Sequence, residues 1–173
     1  STIGFGLCHP AVWCRKQYSF LVGPAIYSSG GRKYCSMVNP FDVVYVLSEV
    51  SVGIEVCNFG YIKDGKTYAG TTAAESEIVK LKKPFRGYVE WHRYSDKQIE
   101  ALRLWILHIA ERDSIDVRKG LVEEIKAKGA DGFEFNEDAF YGKIKGMWTH
   151  TNTRKDKFDM FPQQELLDML VSL

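Results

Sequence analysis

Near its C-terminal end the chain carries residues whose types and spacing could bind a metal ion. In the segment "MWTHTNTRKDKFDMFP" a short apolar run ends at His150, and a polar stretch leads on to Lys157 and Asp159. Lys157 and Asp159 are two residues apart, so in an extended segment their side chains lie on the same side. Imidazole and carboxylate are zinc ligands, and a neighbouring ammonium group can stabilise an oxyanion. The alternative interpretation is a surface loop with a strand-terminal histidine and a Lys–Asp ion pair.

A strand in the first half of the chain carries a carboxylate that could act beside such a metal. In "SVGIEVCNF", residues 51–59, β-branched residues alternate with small or polar ones, which is typical of a half-buried strand. The predicted core face consists of Val52, Ile54 and Val56, and the other face of Ser51, Gly53, Glu55 and Cys57. Small neighbours leave room beside Glu55, so its carboxylate could serve as a general base. As the alternative, Glu55 is an exposed strand residue or one partner of an ion pair.

Helices in the second half are expected to support these residues. The clearest covers residues 95–113, where Ser95 and Gln98 form a capping box. A second helix is predicted near 117–128, ending at Gly129, and "QQELLDMLVSL" predicts a short closing helix. The core-facing stripe of the first helix is predicted to be Ile99, Leu102, Ile106 and Ile109.

The other segments complete an α/β pattern. "TIGFGLC", "YSFLVG" and "DVVYVL" read as strands, and the Asp-Gly of "IKDGKTY" predicts a hairpin or a loop returning to the sheet. Residues 130–146 are expected to form a loop or a small hairpin. Mixed strands and helices favour an α/β fold, a single domain with a central mixed β-sheet flanked by helices.

Composition excludes several classes of protein. The chain has 173 residues and a formal net charge of +1, which does not suit a non-specific nucleic-acid binder. No apolar run is long enough for a membrane span, and the N-terminus lacks the pattern of a signal peptide. The four cysteines form no CxxC pair, and we expect them to be buried and reduced. We expect a monomer.

Three segments together carry a resemblance to a known family. They are "SVGIEVCNFG…KDGKTY", "YSDKQIEALRLWILHIAERDSI" and "THTNTRKDKFD", and they occur in this order over roughly residues 50–173. In this order they resemble the zinc-dependent N-acetylmuramoyl-L-alanine amidases of the type 2 family, which are related to the phage lysozyme-amidases and the peptidoglycan recognition proteins. The resemblance implies one amidase-like catalytic domain over residues 1–173.

The resemblance also implies a role for each matching residue. His150 and Asp159 would be zinc ligands, Lys157 would stabilise the oxyanion, and Glu55 would activate the metal-bound water. The implied reaction is cleavage of the amide bond between N-acetylmuramic acid and L-alanine in peptidoglycan, as in a phage-type endolysin. Such an enzyme acts at the bacterial cell wall, and the sequence gives no export route.

Two departures from the family pattern concern the metal ligands. The chain reads "DMFPQQ" after Asp159, where the family has Asp-Pro-Gly. The family's first ligand is a histidine closing the first strand, and His9 in "IGFGLCHP" takes that place, although its interval to Glu55 is short. Either the N-terminal part is abbreviated or the first ligand lies outside this chain. The alternatives for this ligand are a turn histidine before Pro10 and a substitute thiol at Cys14.

Two other functions compete with the amidase. A non-catalytic peptidoglycan-binding module on the same fold needs no complete zinc site. A cysteine hydrolase would use Cys8 or Cys14 with a distant histidine, although neither cysteine has the sequence setting of an activated thiolate.

Overall fold

The structure, a computed structural model, describes residues 3–8 and 51–173. The strands are β1 (Ile3–Cys8), β2 (Val52–Cys57), β3 (Ile62–Lys63), β4 (Lys66–Thr67), β5 (Ile78–Phe85), β6 (Tyr88–His92) and β7 (Met147–Thr149). The α-helices are α1 (Asp96–Asp113), α2 (Leu121–Lys128), α3 (Glu137–Phe140), α4 (His150–Thr153) and α5 (Gln164–Val171), and 3-10 turns occupy Glu75–Glu77 and Gly129–Phe133. The predicted strands "YSFLVG" and "DVVYVL" lie outside the described residues. No helix of the described segments is long and apolar enough to cross a membrane.

A three-stranded parallel sheet brings both ends of the described chain together. Its order is β2-β1-β7, and Phe5 of the central strand is in register with Ile54 on one side and Thr149 on the other. Val56 of β2 is buried while Gly53 and Cys57 are exposed, which confirms the predicted alternation. The exposure of Cys57 also corrects the expectation of a buried thiol there, because that position belongs to the outer face of the strand.

The four remaining strands form two antiparallel pairs. Asp64 and Gly65 connect β3 to β4 with φ angles of 53° and 71°, so the predicted Asp-Gly hairpin is confirmed. Arg86 and Gly87 make the corresponding two-residue turn between β5 and β6, with φ of 51° and 86°. The combination of helix and strand is confirmed, but the described strands form one parallel and two antiparallel units instead of one mixed sheet.

Helix α1 follows its sequence signals closely. Ser95 Oγ accepts a hydrogen bond from the Gln98 backbone N–H, and Gln98 Oε1 accepts one from the Ser95 N–H, as the capping box predicts. The other end of the Gln98 side chain donates to the carbonyl of Cys57 at 2.6 Å, which ties the start of α1 to the end of β2. All four residues of the predicted apolar stripe are buried. The predicted closing helix is confirmed as α5.

Helix α2 begins later than its sequence suggested. Asp116 Oδ1 accepts a hydrogen bond from the Arg118 backbone N–H, which forms a turn where the helix was expected to start. Val117 is buried in the core, and Gly120 has φ of 79° immediately before the first helical residue. Helical geometry therefore starts at Leu121, and the prediction was right only for the end at Gly129.

Residues 130–146 form neither a plain loop nor a hairpin. A 3-10 turn runs to Phe133, and the short helix α3 follows, with Asn136 Oδ1 accepting a hydrogen bond from the Ala139 N–H at its start. Phe133 and Ala139 are fully buried. Their burial explains the helical turns, since each turn places an apolar residue in the core while satisfying its own backbone groups.

Two glycines with similar backbone angles differ in their surroundings and allow a matched test. A Cβ on Gly120 would lie 2.7 Å from the Met147 carbonyl oxygen and 2.9 Å from a ring carbon of Trp148, whereas a Cβ on Gly129 would meet nothing within 4 Å. Both changes to Ala carry a backbone cost of order 1–3 kcal/mol. We expect Gly120→Ala to lower the free energy of unfolding by about 2 kcal/mol more than Gly129→Ala, because overpacking adds its own cost. Urea unfolding measures the difference, and equal losses would contradict the close contact of α2 with β7.

Candidate functional site

The segment after β7 folds back on itself and brings His150 and Asp159 into contact. His150 Nδ1 lies 2.6 Å from Asp159 Oδ2. A carboxylate oxygen only accepts, so the ring nitrogen donates in this hydrogen bond. His150 is 3% exposed, and the Asp159 side chain is 17% exposed. The structure thus brings Asp159 back to His150, although His150 is the first residue of α4 and not the last residue of the strand.

The turn that carries His150 is held by the side-chain amide of Asn152, which is fully buried. Its oxygen accepts hydrogen bonds from the Thr149 backbone N–H at 3.0 Å and from Thr149 Oγ1 at 2.6 Å. Its nitrogen donates to the carbonyls of Gly132 and Glu134, both at 2.8 Å. Both hydrogens and both acceptor positions of the amide are thus used. One side chain fixes the end of β7 against the 3-10 turn that precedes α3.

Aromatic rings hold the other end of the segment 150–159, which we call the site segment. Phe158, between Lys157 and Asp159, packs edge-on against Tyr61 and Tyr88, with centroid distances of 5.8 Å and 6.0 Å. Those two tyrosines are stacked at 3.8 Å, and their hydrogen bond raises the pKa of Tyr61 above its ordinary value. Successive side chains of an extended segment alternate sides. Anchoring Phe158 on one side therefore leaves Asp159 on the side of His150, and Lys157 is half-buried.

The register of the parallel sheet places Glu55 in the row that follows the Thr149 row. Glu55 pairs with Gly6, the residue after Phe5, and His150 is the residue after Thr149. Strands in a sheet lie about 4.8 Å apart, so β2 and β7, on either side of β1, are roughly 10 Å apart. The β1 residue that pairs with Glu55 is a glycine. The three parallel strands also end at one edge of the sheet, where α/β proteins commonly bind ligands.

The donor pair agrees in type with a zinc site but does not complete one. Zinc takes imidazole nitrogen and carboxylate oxygen at about 2.0–2.2 Å, which separates two tetrahedral ligand atoms by roughly 3.3 Å. Small rotations of His150 and Asp159 would open their 2.6 Å contact to that value. A catalytic zinc needs a third protein ligand, and the described residues hold no group of three His, Cys, Asp or Glu side chains suited to a metal ion. His9, the predicted third ligand, lies outside the described residues, as does Cys14.

Strand β1 ends immediately before His9, the predicted third zinc ligand. Cys8 ends the strand two residues beyond Gly6, so the strand continues past the row of Glu55 by roughly 7 Å. His9, the next residue, lies outside the described residues and stays a prediction.

Charged residues of the same segment are engaged elsewhere. Arg154 donates to both oxygens of Asp156, and these hydrogen bonds lower the pKa of Asp156. The ammonium group of Lys155 lies 4.6 Å from the ring centroid of Phe135. These contacts direct Arg154 and Lys155 to Asp156 and Phe135, and not to the His150–Asp159 pair.

The other described histidines lie in different settings. His92 ends strand β6, where it is half-buried and edge-on to Phe59. Burial lowers the pKa of His92. His108 is exposed on α1 beside Trp105.

Sequence reasoning missed two residues that support the segment, Asn152 and Arg86. Asn152 stands among threonines in "THTNT", a polar run that signals only a turn. Arg86 precedes a glycine between two strand patterns, which predicts the hairpin turn but not the role of its side chain. The carbonyls to which these two side chains donate are distant in sequence, so no local pattern records those bonds. The contacts of Asn152 with Thr149 are local, since the two residues form a capping box.

Comparison with known proteins adds no family to this description. The chain matches no protein-family model, no curated protein and no solved structure.

The Asn152 amide gives a direct test of how the turn is held. Asn152→Ala leaves two carbonyls, one N–H and one hydroxyl without this partner, so we expect a loss of about 3–5 kcal/mol in the free energy of unfolding. Asn58→Ala is the matched control, because Asn58 is also buried but makes two such bonds, to Gly60 and His92. Guanidinium chloride unfolding of both variants measures the difference. A loss at Asn152 no larger than at Asn58 would show that the amide does not hold the turn.

Proposed function

We propose that the chain is a zinc-dependent hydrolase that cleaves the amide bond between N-acetylmuramic acid and L-alanine in peptidoglycan. The observation that supports this most directly is the 2.6 Å contact between His150 Nδ1 and Asp159 Oδ2. The two residues are nine positions apart, and two separate sets of contacts hold the ends of the segment between them. A buried imidazole–carboxylate pair at the carboxyl edge of a parallel sheet is the donor chemistry that zinc uses.

In this proposal, His150 and Asp159 hold the zinc together with a third ligand, for which His9 is the candidate. Zinc, when bound, lowers the pKa of a coordinated water towards 7 and so supplies hydroxide at neutral pH. Lys157 stabilises the negative charge that develops on the carbonyl oxygen of the substrate. Its position two residues before Asp159 supports this role, because side chains two apart in an extended segment lie on the same side.

Glu55 carries the proton transfers. As water oxygen bonds to the amide carbon, the Glu55 carboxylate accepts the proton of the water, and it then gives that proton to the leaving nitrogen of L-alanine. The bond between the carbonyl carbon and that nitrogen breaks, leaving a carboxylate on the muramic acid side and a free amine on the peptide. Glu55 and His150 are assigned to adjacent roles because Glu55 lies in the sheet row next to that of Thr149, the residue before His150.

A non-catalytic peptidoglycan-binding module is the second candidate. Among the described residues, only two side chains suited to bind zinc, His150 and Asp159, are brought into contact as a pair. A catalytic zinc generally needs three protein ligands, so an incomplete set favours this module. In this case the His150–Asp159 contact is a structural hydrogen bond that closes the segment. The cysteine hydrolase stays a prediction, because the side chains of its candidate nucleophiles, Cys8 and Cys14, lie outside what the structure describes.

Removing the imidazole tests the enzyme directly. We expect His150→Ala to lower the release of L-alanine amino groups from peptidoglycan by at least roughly a thousandfold, since a catalytic metal contributes several kcal/mol and each 1.36 kcal/mol is tenfold. His108→Ala is the control, because His108 is exposed on α1 away from the pair. Activity is measured as new amino groups over time with and without a chelator. Turnover of His150→Ala equal to that of His108→Ala would rule out the mechanism.

Metal content separates the enzyme from the binding module. The enzyme is expected to hold about one zinc per chain, and both His150→Ala and Asp159→Ala are expected to lose it. Asp156→Ala serves as the control for Asp159→Ala, because its carboxylate pairs with Arg154 in the same segment. Elemental analysis after dialysis gives the stoichiometry. Metal-free protein that still sediments with purified cell wall would favour the module.

A further inference from the structure

The turn of the β5–β6 hairpin sends one side chain into the site segment. Arg86 Nη2 donates to the carbonyl of Thr151 and Nη1 donates to the carbonyl of Lys155, both at 2.9 Å. Its Nε lies 3.4 Å from Glu134 Oε2, close enough for an ion pair but outside hydrogen-bond geometry. The Arg86 side chain is 11% exposed. One guanidinium thus contacts the chain just after His150 and again four residues before Asp159.

These carbonyls need a donor because of how short α4 is. A helix leaves its last four carbonyls without partners inside the helix, so a four-residue helix leaves nearly all of them. The carbonyl of His150 receives the Arg154 N–H and the Thr153 hydroxyl. Thr151 is fully buried, and its carbonyl receives Arg86. A planar guanidinium can serve two carbonyls at once with fixed geometry, which a lysine ammonium cannot reproduce.

Arg86 adopts a backbone conformation that a glycine would adopt at lower cost. Its φ is 51°, in the left-handed region, and Gly87 follows at 86°. Non-glycine residues in this region are strained by the order of 1 kcal/mol. Asp64 is the counterpart in the β3–β4 turn, with φ of 53°, and it is exposed. The strain at Arg86 is offset by its side-chain contacts.

We propose that Arg86 is a positioning residue that sets the separation of His150 and Asp159. It clamps the span between them through Thr151 and Lys155, while Tyr88 of the same hairpin anchors Phe158. The consequence for zinc affinity rests on the proposed function, but the consequence for the hydrogen bond between His150 and Asp159 does not.

Arg86→Gly is the informative variant, because glycine keeps the turn conformation and removes only the side chain. Asp64→Gly makes the same backbone change in the other hairpin and is the control. In metal-free protein, the hydrogen-bonded Nδ1 proton of His150 is followed by NMR. It is expected to disappear or shift upfield in Arg86→Gly, to persist in Asp64→Gly, and to return when guanidinium ion is added at millimolar concentration. Arg86→Lys, which keeps the charge and the fold, is expected to restore the signal only in part.

Zinc affinity gives the second measurement. By chelator competition, Arg86→Gly is expected to bind zinc 10–100-fold more weakly than Asp64→Gly, as for other residues that orient metal ligands. An unchanged His150 signal together with an affinity within twofold of the control would overturn the proposal. If no variant and no wild-type protein binds zinc, yet the His150 signal still depends on Arg86 and guanidinium, the positioning role stands and the proposed metal function fails.

Discussion

The buried amide of Asn152 is the constraint on which the rest of the site depends. It satisfies four groups from two distant parts of the chain, Thr149 at the end of β7 and the carbonyls that precede α3. A buried polar group without a partner costs about 1–3 kcal/mol, so no other placement of this side chain is comparably favourable. The direction in which the chain leaves the sheet, and therefore the position of His150, follows from these bonds.

The first part of the site segment is buried in the protein interior, which creates a hydrogen-bonding problem for its backbone. Four consecutive residues, 150–153, are almost completely buried. Their backbone groups cannot reach water, so groups from elsewhere in the chain must serve them. Asn136 supplies a backbone N–H to the Asn152 carbonyl, and the Arg86 guanidinium donates to the Thr151 carbonyl and, in the exposed part of the segment, to the Lys155 carbonyl. The hairpin and the helical turns before β7 thereby act as the frame that fixes the imidazole and the carboxylate.

Elements with complete local signals could be predicted from the sequence. Helix α1 has a capping box and a regular apolar stripe, and the Asp-Gly turn selects a hairpin by its φ angles, so both were right. The start of α2 was wrong by several residues because Asp116 forms a turn and Val117 is drawn into the core. The segment 130–146 was wrong for a similar reason, since burial of Phe133 and Ala139 outweighed its weak local preferences.

For the site, the sequence by itself determined which groups are present and that they can meet. Lys157 and Asp159 are two residues apart, so their side chains can lie on the same side of the chain. The polar run before them is long enough to turn back to His150. Only the tertiary structure decided that the imidazole and the carboxylate are in contact and buried, and that Glu55 occupies the row next to Thr149. The physical reason is that these outcomes depend on strand register and on hydrogen bonds from distant side chains, such as that of Arg86, to backbone carbonyls. Neither leaves a periodic pattern in the amino-acid sequence.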